Sequence, residues 1–153
     1  MKIGVISDTH GYLDPKVHDL FAGVSHILHA GDIGNDFIIA ELQTIAPVTA
    51  VLGNTDSSPN YRLTEVVTLA GRKFLVHHIV NPRELREELQ LRIARERPDA
   101  VVFGHTHKAF CETIGGVLYL NPGYAGKPKF RLERSAAILH CDGKEIRTEF
   151  LPL

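Results

Sequence analysis

KIGVISDTH, residues 2–10, decides the fold. The run Lys2–Ile6 is short and largely apolar, and it breaks at once into Asp8-Thr9-His10. Short apolar runs bounded by glycine and polar residues read as buried strands. The same figure recurs four times along the chain. His26–Ala30 ends in Gly31-Asp32, and Val48–Leu52 ends in Gly53-Asn54-Thr55-Asp56. Lys73–Val76 ends in His77-His78, and Ala100–Phe103 ends in Gly104-His105-Thr106-His107. In open α/β sheets, ligands bind in the crevice beyond the carboxyl ends of the strands. Carboxylates, imidazoles and an amide from across the chain are therefore expected to converge on one edge, and the expected content of that edge is metal.

Around these runs the first half alternates strand and helix: strand 2–6, helix near 15–22, strand 25–30, helix near 35–46, strand 48–52. Pro15 suits the first turn of its helix after Asp14 as cap, and Asn35 or Asp36 can cap the second. Phe37, Ile38, Ile39, Leu42 and Ile45 make a broad apolar stripe on that second helix. Such alternation predicts parallel strands joined by right-handed crossovers. The second half differs. Thr64–Leu69 and Lys73–His77 flank Ala70-Gly71-Arg72 as a hairpin. One long helix is expected over about 82–96, with Asn81 as cap, Pro82 in first position and Glu84 as its capping-box partner. Its charged face offers Glu88–Arg92 as an attractive i, i+4 pair. Strands near 100–103, 109–114, 117–121, 135–141 and 145–151 follow, the last two joined by the Asp142-Gly143 turn. The sum is an α/β (mixed α+β) chain with two partly mixed sheets between helices, read as one domain over residues 1–153.

Bulk properties narrow the function classes. Seventeen basic and eighteen acidic residues give a formal charge of -1, so nothing draws the whole molecule to duplex nucleic acid or an anionic membrane. No apolar stretch approaches the ~20 residues of a membrane span, and Lys2–Ile6 is too short for a signal-peptide core. Cys111 and Cys141 are far apart and fit buried thiols of a cytoplasmic protein better than a disulfide. The compositional anomaly is nine histidines.

Asp8 and His10, two apart past a strand end, would aim the same way from an extended backbone, and His105 and His107 repeat that spacing. Asp32 is a short carboxylate able to bridge two cations, and Asn54 offers a neutral carbonyl oxygen. Mixed oxygen and nitrogen donors of this kind suit Mn(II), Fe(II), Zn(II) or Ni(II), and lack the thiolates of a structural zinc site. Two such ions about 3.5–4 Å apart can hold a bridging water, lower its pKa and clamp phosphoryl oxygens. The expected reaction is phosphoester hydrolysis by a bridging hydroxide, without a protein nucleophile.

At these residues the chain resembles the calcineurin-like metallophosphoesterase superfamily. The motifs Asp8-Thr9-His10, Gly31-Asp32, Gly53-Asn54-Thr55-Asp56, His78 and Gly104-His105-Thr106-His107 stand in that family's order. The short length and Asn121-Pro122-Gly123 look like its YfcE-type branch of small prokaryotic phosphodiesterases. The resemblance implies a four-layer αββα sandwich of two mixed sheets flanked by helices. It implies that Asp8, His10, Asp32 and His107 hold one divalent metal, with Asp32 bridging, while Asn54, His78 and His105 complete a second. Asp56 would act from behind the ligands, orienting His10 through its other ring nitrogen. Two metal ions, Mn(II) foremost, and a small-molecule phosphodiester substrate are implied; homo-oligomerisation is left open.

Two departures from the family pattern stand out. Thr55 occupies a place where many members carry a histidine credited with protonating the leaving group. His77-His78-Ile79 replaces the branch's usual His-Gly-His; the strand register favours His78 as ligand, with His77 also open. Lys127 or Lys129 could meet a substrate phosphate, against the plainer reading of a solvated loop. His29 reads as a hydrogen-bonded buried histidine. The rival functional reading is a scaffold, since the superfamily includes a retromer subunit whose ligand set has decayed and which serves as a protein-binding surface.

Overall fold

The apolar runs pair as strands of two sheets, and the side chains of the first run already show how they stack. A computed structural model describes residues 1–153, with elements in the order β1 (Lys2–Ile6), α1 (Lys16–Leu20), β2 (His26–His29), α2 (Asp36–Leu42), β3 (Val48–Ala50), β4 (Thr64–Leu69), β5 (Arg72–His77), α3 (Glu87–Glu96), β6 (Ala100–Val102), β7 (Phe110–Ile114), β8 (Val117–Asn121), β9 (Ser135–Asp142) and β10 (Glu145–Pro152). The first sheet runs β10-β9-β1-β2-β3 and the second β4-β5-β6-β8-β7. β1, β2 and β3 are parallel, with β9 antiparallel to β1. β5, β6 and β8 are parallel, flanked by antiparallel β4 and β7.

Alternation along β1 sets the layers. Ile3 and Val5 point into a core between the sheets with Phe74, Val76, Val102 and Leu120, all buried. Ile6 points the other way, to Val17 of α1, Phe21 just after it, and Ile38, Ile39 and Leu42 from α2. A third cluster, with Leu75, Val101 and Tyr119, lies beneath Leu89 of α3. Strands covered on both faces need apolar residues at successive positions, which is why these runs are continuous rather than alternating. Helices, sheet, sheet, helix: this is the four-layer αββα sandwich of mixed sheets that the family resemblance implies.

Some local expectations are corrected. α3 begins at Glu87 rather than near 82, with Arg86 in the cap position and no side chain accepting from its first turn. Asn81 caps a separate turn: its Oδ1 accepts from the Arg83 amide at 3.2 Å, and its carbonyl from the Glu84 amide at 3.1 Å. The expected helix cap at Asn81 is thus a turn cap, and Leu85 and Arg86 intervene before the helix. On that helix Arg92 and Arg95 pair with Glu96, not Glu88. α2 is capped by Asn35, whose side chain accepts from the Phe37 amide at 3.1 Å. Phe37 leaves the expected stripe and is 84% exposed. Cys141 is buried as expected while Cys111 is exposed, and both are free thiols. No helix is long and apolar enough to cross a membrane.

Candidate metal centre

Five parallel strands, three from one sheet and two from the other, end at the same edge of the sandwich. Beyond them the backbone turns sharply. Of the eight non-glycine residues with left-handed backbone, five are Asp8, His10, Asp32, His105 and His107, with φ between 48° and 72°. Asp, Asn and His tolerate this region better than other residues with a Cβ, yet each such residue still costs about 1–3 kcal/mol. Backbone bonds join neighbouring turns within each sheet: the Asp8 amide to Gly31 O at 3.0 Å, the His10 amide to Asp32 O at 2.9 Å, and the Gly104 amide to His78 O at 3.0 Å. Two glycines permit the close approach. A Cβ on Gly53 would overlap the Asp32 carboxylate, and one on Gly104 would overlap Ser7 Oγ and lie 2.6 Å from Asp8 Oδ2.

The side chains gather into two adjoining groups, Asp8, His10 and His107 in one and Asp32, His78 and His105 in the other. Within each group the donor atoms lie within 4.8 Å of one another. Asp8 Oδ1 stands 3.2 Å from His107 Nε2, 3.7 Å from His10 Nε2 and 3.9 Å from His78 Nε2. Asp32 Oδ2 stands between the groups, 3.2 Å from His78 Nε2 and 3.6 Å from His10 Nε2. Asn54 Oδ1 joins the second group, 3.0 Å from His105 Nδ1. All seven sequence-predicted ligands thus come together. Asp8, Asp32 and His78 form a buried floor, while His10, His105 and Asn54 form an exposed rim with His107 half-buried.

The remaining atoms of these groups are already engaged. Asp8 Oδ2 accepts from Ser7 Oγ at 2.6 Å and from the His105 amide at 3.1 Å. Asp32 Oδ1 accepts from the Thr55 amide at 2.9 Å and its hydroxyl at 2.8 Å. His78 Nδ1 lies 2.7 Å from the Ala30 carbonyl, so it carries the proton and leaves Nε2 a lone pair. What remains is telling: Asp8 Oδ1 and His78 Nε2 are buried polar atoms with no hydrogen-bond partner. Asp8 and Asp32 also meet no lysine or arginine, only histidines. Buried carboxylates without a counter-charge are costly. Donors around a first-row divalent ion at about 2.0–2.2 Å sit about 3.0–3.5 Å from their neighbours, which is the spacing at Asp8–His107, Asp32–His78 and Asn54–His105. The donor set, its orphaned lone pairs and its uncompensated charge all fit divalent cations.

Burial pushes the Asp32 carboxyl up, but the two Thr55 bonds and the neighbouring His78 and His10 more than reverse this, leaving its pKa below the ordinary carboxylate value. His29, wholly buried, is pushed down to about 3, first by burial and then by the charges of His78 and His10, against opposing carboxylates. It is neutral, accepting from the Gly31 amide at 3.1 Å on Nδ1 and meeting Thr9 Oγ1 at 2.9 Å with Nε2. Thr9 passes the bond on to Ile33 O at 2.8 Å. His29 is thus the hydrogen-bonded buried histidine that the sequence predicts.

Asp56 makes no hydrogen bond to His10. Its carboxylate instead accepts from the amides of Ile33 at 3.0 Å, Gly34 at 3.0 Å and Gly53 at 2.8 Å, binding the Asp32 turn to the Asn54 turn. His77 turns aside, with Nδ1 2.8 Å from Thr64 Oγ1. Burial lowers its pKa against a hydrogen bond to Leu63 backbone, and the charges of His78 and Arg86 lower it further. Tyr124 is buried against His107, ring centroids 4.8 Å apart, with Lys129 Nζ 5.3 Å from its own centroid, whereas Phe130 is solvent-exposed. Three supporting residues lay outside the sequence reading. Ser7 holds Asp8. Thr55, read only as a missing acid, holds Asp32. Asn121 Nδ2 donates to Gly104 O at 3.0 Å and Thr106 Oγ1 at 3.1 Å, holding the His105–His107 turn. A hydroxyl directly beside a candidate ligand was the available signal for the first.

A model of the calcineurin-like phosphoesterase superfamily domain matches residues 1–144. A probable metallophosphoesterase of Methanothermobacter thermautotrophicus is 35% identical, with 99% of this chain and 92% of the relative covered. Phosphodiesterase YfcE of Escherichia coli is 30% identical, covering 84% of this chain and 82% of YfcE. Among solved structures, wild-type Vps29 of Entamoeba histolytica complexed with zinc superposes with a TM-score of 0.76 at 24% identity, covering 99% of both chains. The chain belongs to the calcineurin-like phosphoesterase superfamily.

Proposed function

We propose that this member of the calcineurin-like phosphoesterase superfamily is a metal-dependent phosphodiesterase working through a dinuclear centre. Asp8, His10, Asp32 and His107 would hold one ion, and Asp32, Asn54, His78 and His105 the other. The observation that carries this reading is the pair of orphaned buried atoms, Asp8 Oδ1 and His78 Nε2, facing each other at 3.9 Å. Two divalent ions, Mn(II) foremost, would supply a bridging hydroxide near neutral pH and charge neutralisation for phosphoryl oxygens. The chain's own residues do the rest. Asp32 Oδ1 is held by Thr55, so only Oδ2 is free to bridge. The exposed rim of His10, His105 and Asn54 leaves the approach open to a substrate phosphate. The Thr55 hydroxyl is already donated to Asp32, so it does not protonate the leaving group. Substrates with a good leaving group, or protonation by water, follow from this. The protein would act as one domain in the cytoplasm on small phosphodiesters.

Purified protein loaded with Mn(II) or Ni(II) is expected to hydrolyse bis(p-nitrophenyl) phosphate, with about two metal equivalents bound. Asp32→Ala should abolish turnover. Fully metallated protein that is inert towards a broad phosphoester panel would overturn the enzyme reading. The rival is a protein-binding scaffold. The Vps29 likeness is one of fold alone, and a complete donor set with its supporting hydrogen bonds favours the enzyme.

A further inference from the structure

Beside the second group of ligands opens a groove of about 790 Å³, whose lining begins at Asn54 and His78 and continues out to α3. A bare phosphate at the metal centre would leave most of it empty, since clefts of about 300–1,000 Å³ are the size that buries drug-sized ligands. Its lining joins two chemistries. Leu63, Ile79 and Leu91 present apolar surface, and Leu63 and Leu91 are 63% and 64% exposed. Arg86, Arg92 and Arg95 line it against one acid, Glu88. Arg92 and Arg95 are engaged with Glu96. Arg86 is exposed and enters none of the ion pairs.

From this juxtaposition we infer that the groove is a specificity subsite, in which Arg86 binds a second anionic group of the substrate and Leu63, Ile79 and Leu91 receive the apolar or aromatic body that carries it. For the scissile end this rests on the phosphodiesterase reading above. The favoured substrate class is then a phosphodiester with one arm bearing a further phosphate on a nucleoside-like body, rather than a simple dialkyl or diaryl ester. A guanidinium is suited to this, since its planar fork takes two phosphate oxygens at once.

The test uses two probes differing in one group, thymidine 3′,5′-bisphosphate and thymidine 5′-phosphate, titrated calorimetrically into the Mn(II)-loaded full chain. The bisphosphate is expected to bind about tenfold more tightly, the scale of one charge-assisted hydrogen-bonded contact. In Arg86→Gln that preference should shrink to about threefold or less, whereas Lys144→Gln, at the β9–β10 turn, should retain it. Leu91→Ser is expected to weaken both probes together. Equal affinities in the unaltered protein, a preference that survives Arg86→Gln, or no binding of either probe would each overturn the subsite. Turnover of the broad phosphoester panel, measured on the same preparation, keeps the two proposals apart. If turnover is absent while the Arg86-dependent preference stands, the enzyme reading fails and the anion subsite survives.

Discussion

Thr55 changes meaning between sequence and structure. In the sequence it stands where the family pattern often has an imidazole; in the folded chain it fixes one oxygen of Asp32 with an amide and a hydroxyl. Thr55→Val keeps the amide bond and removes the hydroxyl. It is expected to weaken Mn(II) binding about tenfold, the low end of what partners behind a metal ligand contribute. Calorimetric titration checks this, and Thr55→Ser should restore affinity; unchanged affinity in Val would mean the hydroxyl is a bystander. Gly104→Ala acts through space instead. Its methyl would meet Ser7 Oγ and Asp8 Oδ2, so a loss of about 1–3 kcal/mol is expected in urea unfolding, together with loss of metal binding. The residues that hold ligands were the least visible from sequence, because a hydroxyl's partner depends on where a distant turn lands. Ser7 reaches its neighbour Asp8, but Asn121 reaches Gly104 across 17 positions.

At the scale of elements, legibility followed burial. β1, β4 and β8 match their expected bounds because a polar residue or a turn follows each run: Ser7 after β1, Ala70-Gly71 after β4 and Pro122-Gly123 after β8. The strand ends were readable for the same reason, so the seven candidate ligands that the resemblance implies could be placed on one edge before the sheets were known. Helices were read less well. The Asn81-Pro82 signal is a true cap, but of a turn, and nothing local says that the chain will unwind again at Leu85 before α3 starts. Phe37 was assigned to a core stripe on periodicity, yet in the seven-residue α2 it faces outward while its neighbours Ile38 and Ile39 are buried. Leu89 is the one buried residue of α3. Leu89→Ala should therefore cost about 2–5 kcal/mol and loosen the wall of the proposed subsite; thermal melts measure the first and the bisphosphate titration the second.

For the whole molecule, acid and metal act on the same edge. His29 has a folded pKa of about 3 against an ordinary value of 6.5. Between these values the unfolded chain binds the proton and the native one does not. Its contribution to stability is therefore full above pH 6.5 and is lost as pH falls towards 3, by up to about 1.4 kcal/mol per unit. Urea melts of metal-free protein at descending pH should show this slope, flattened in His29→Gln; parallel curves would deny His29 the role. Metal acts in the opposite sense. Mn(II) at about a hundredfold excess over its Kd should stabilise the fold by about 2.7 kcal/mol, and chelation should reverse the gain. The pairing of β1 with β9 has a consequence for biosynthesis. The first strand leads into Asp8 and His10, yet one of its two neighbours, residues 135–142, is made after every candidate donor. Until that segment has followed, the sheet that aligns the donors has an open seam. Contacts so distant in sequence form late, so ion capture waits for β9, and a translation product stalled before it would present loose histidines instead of a formed cradle.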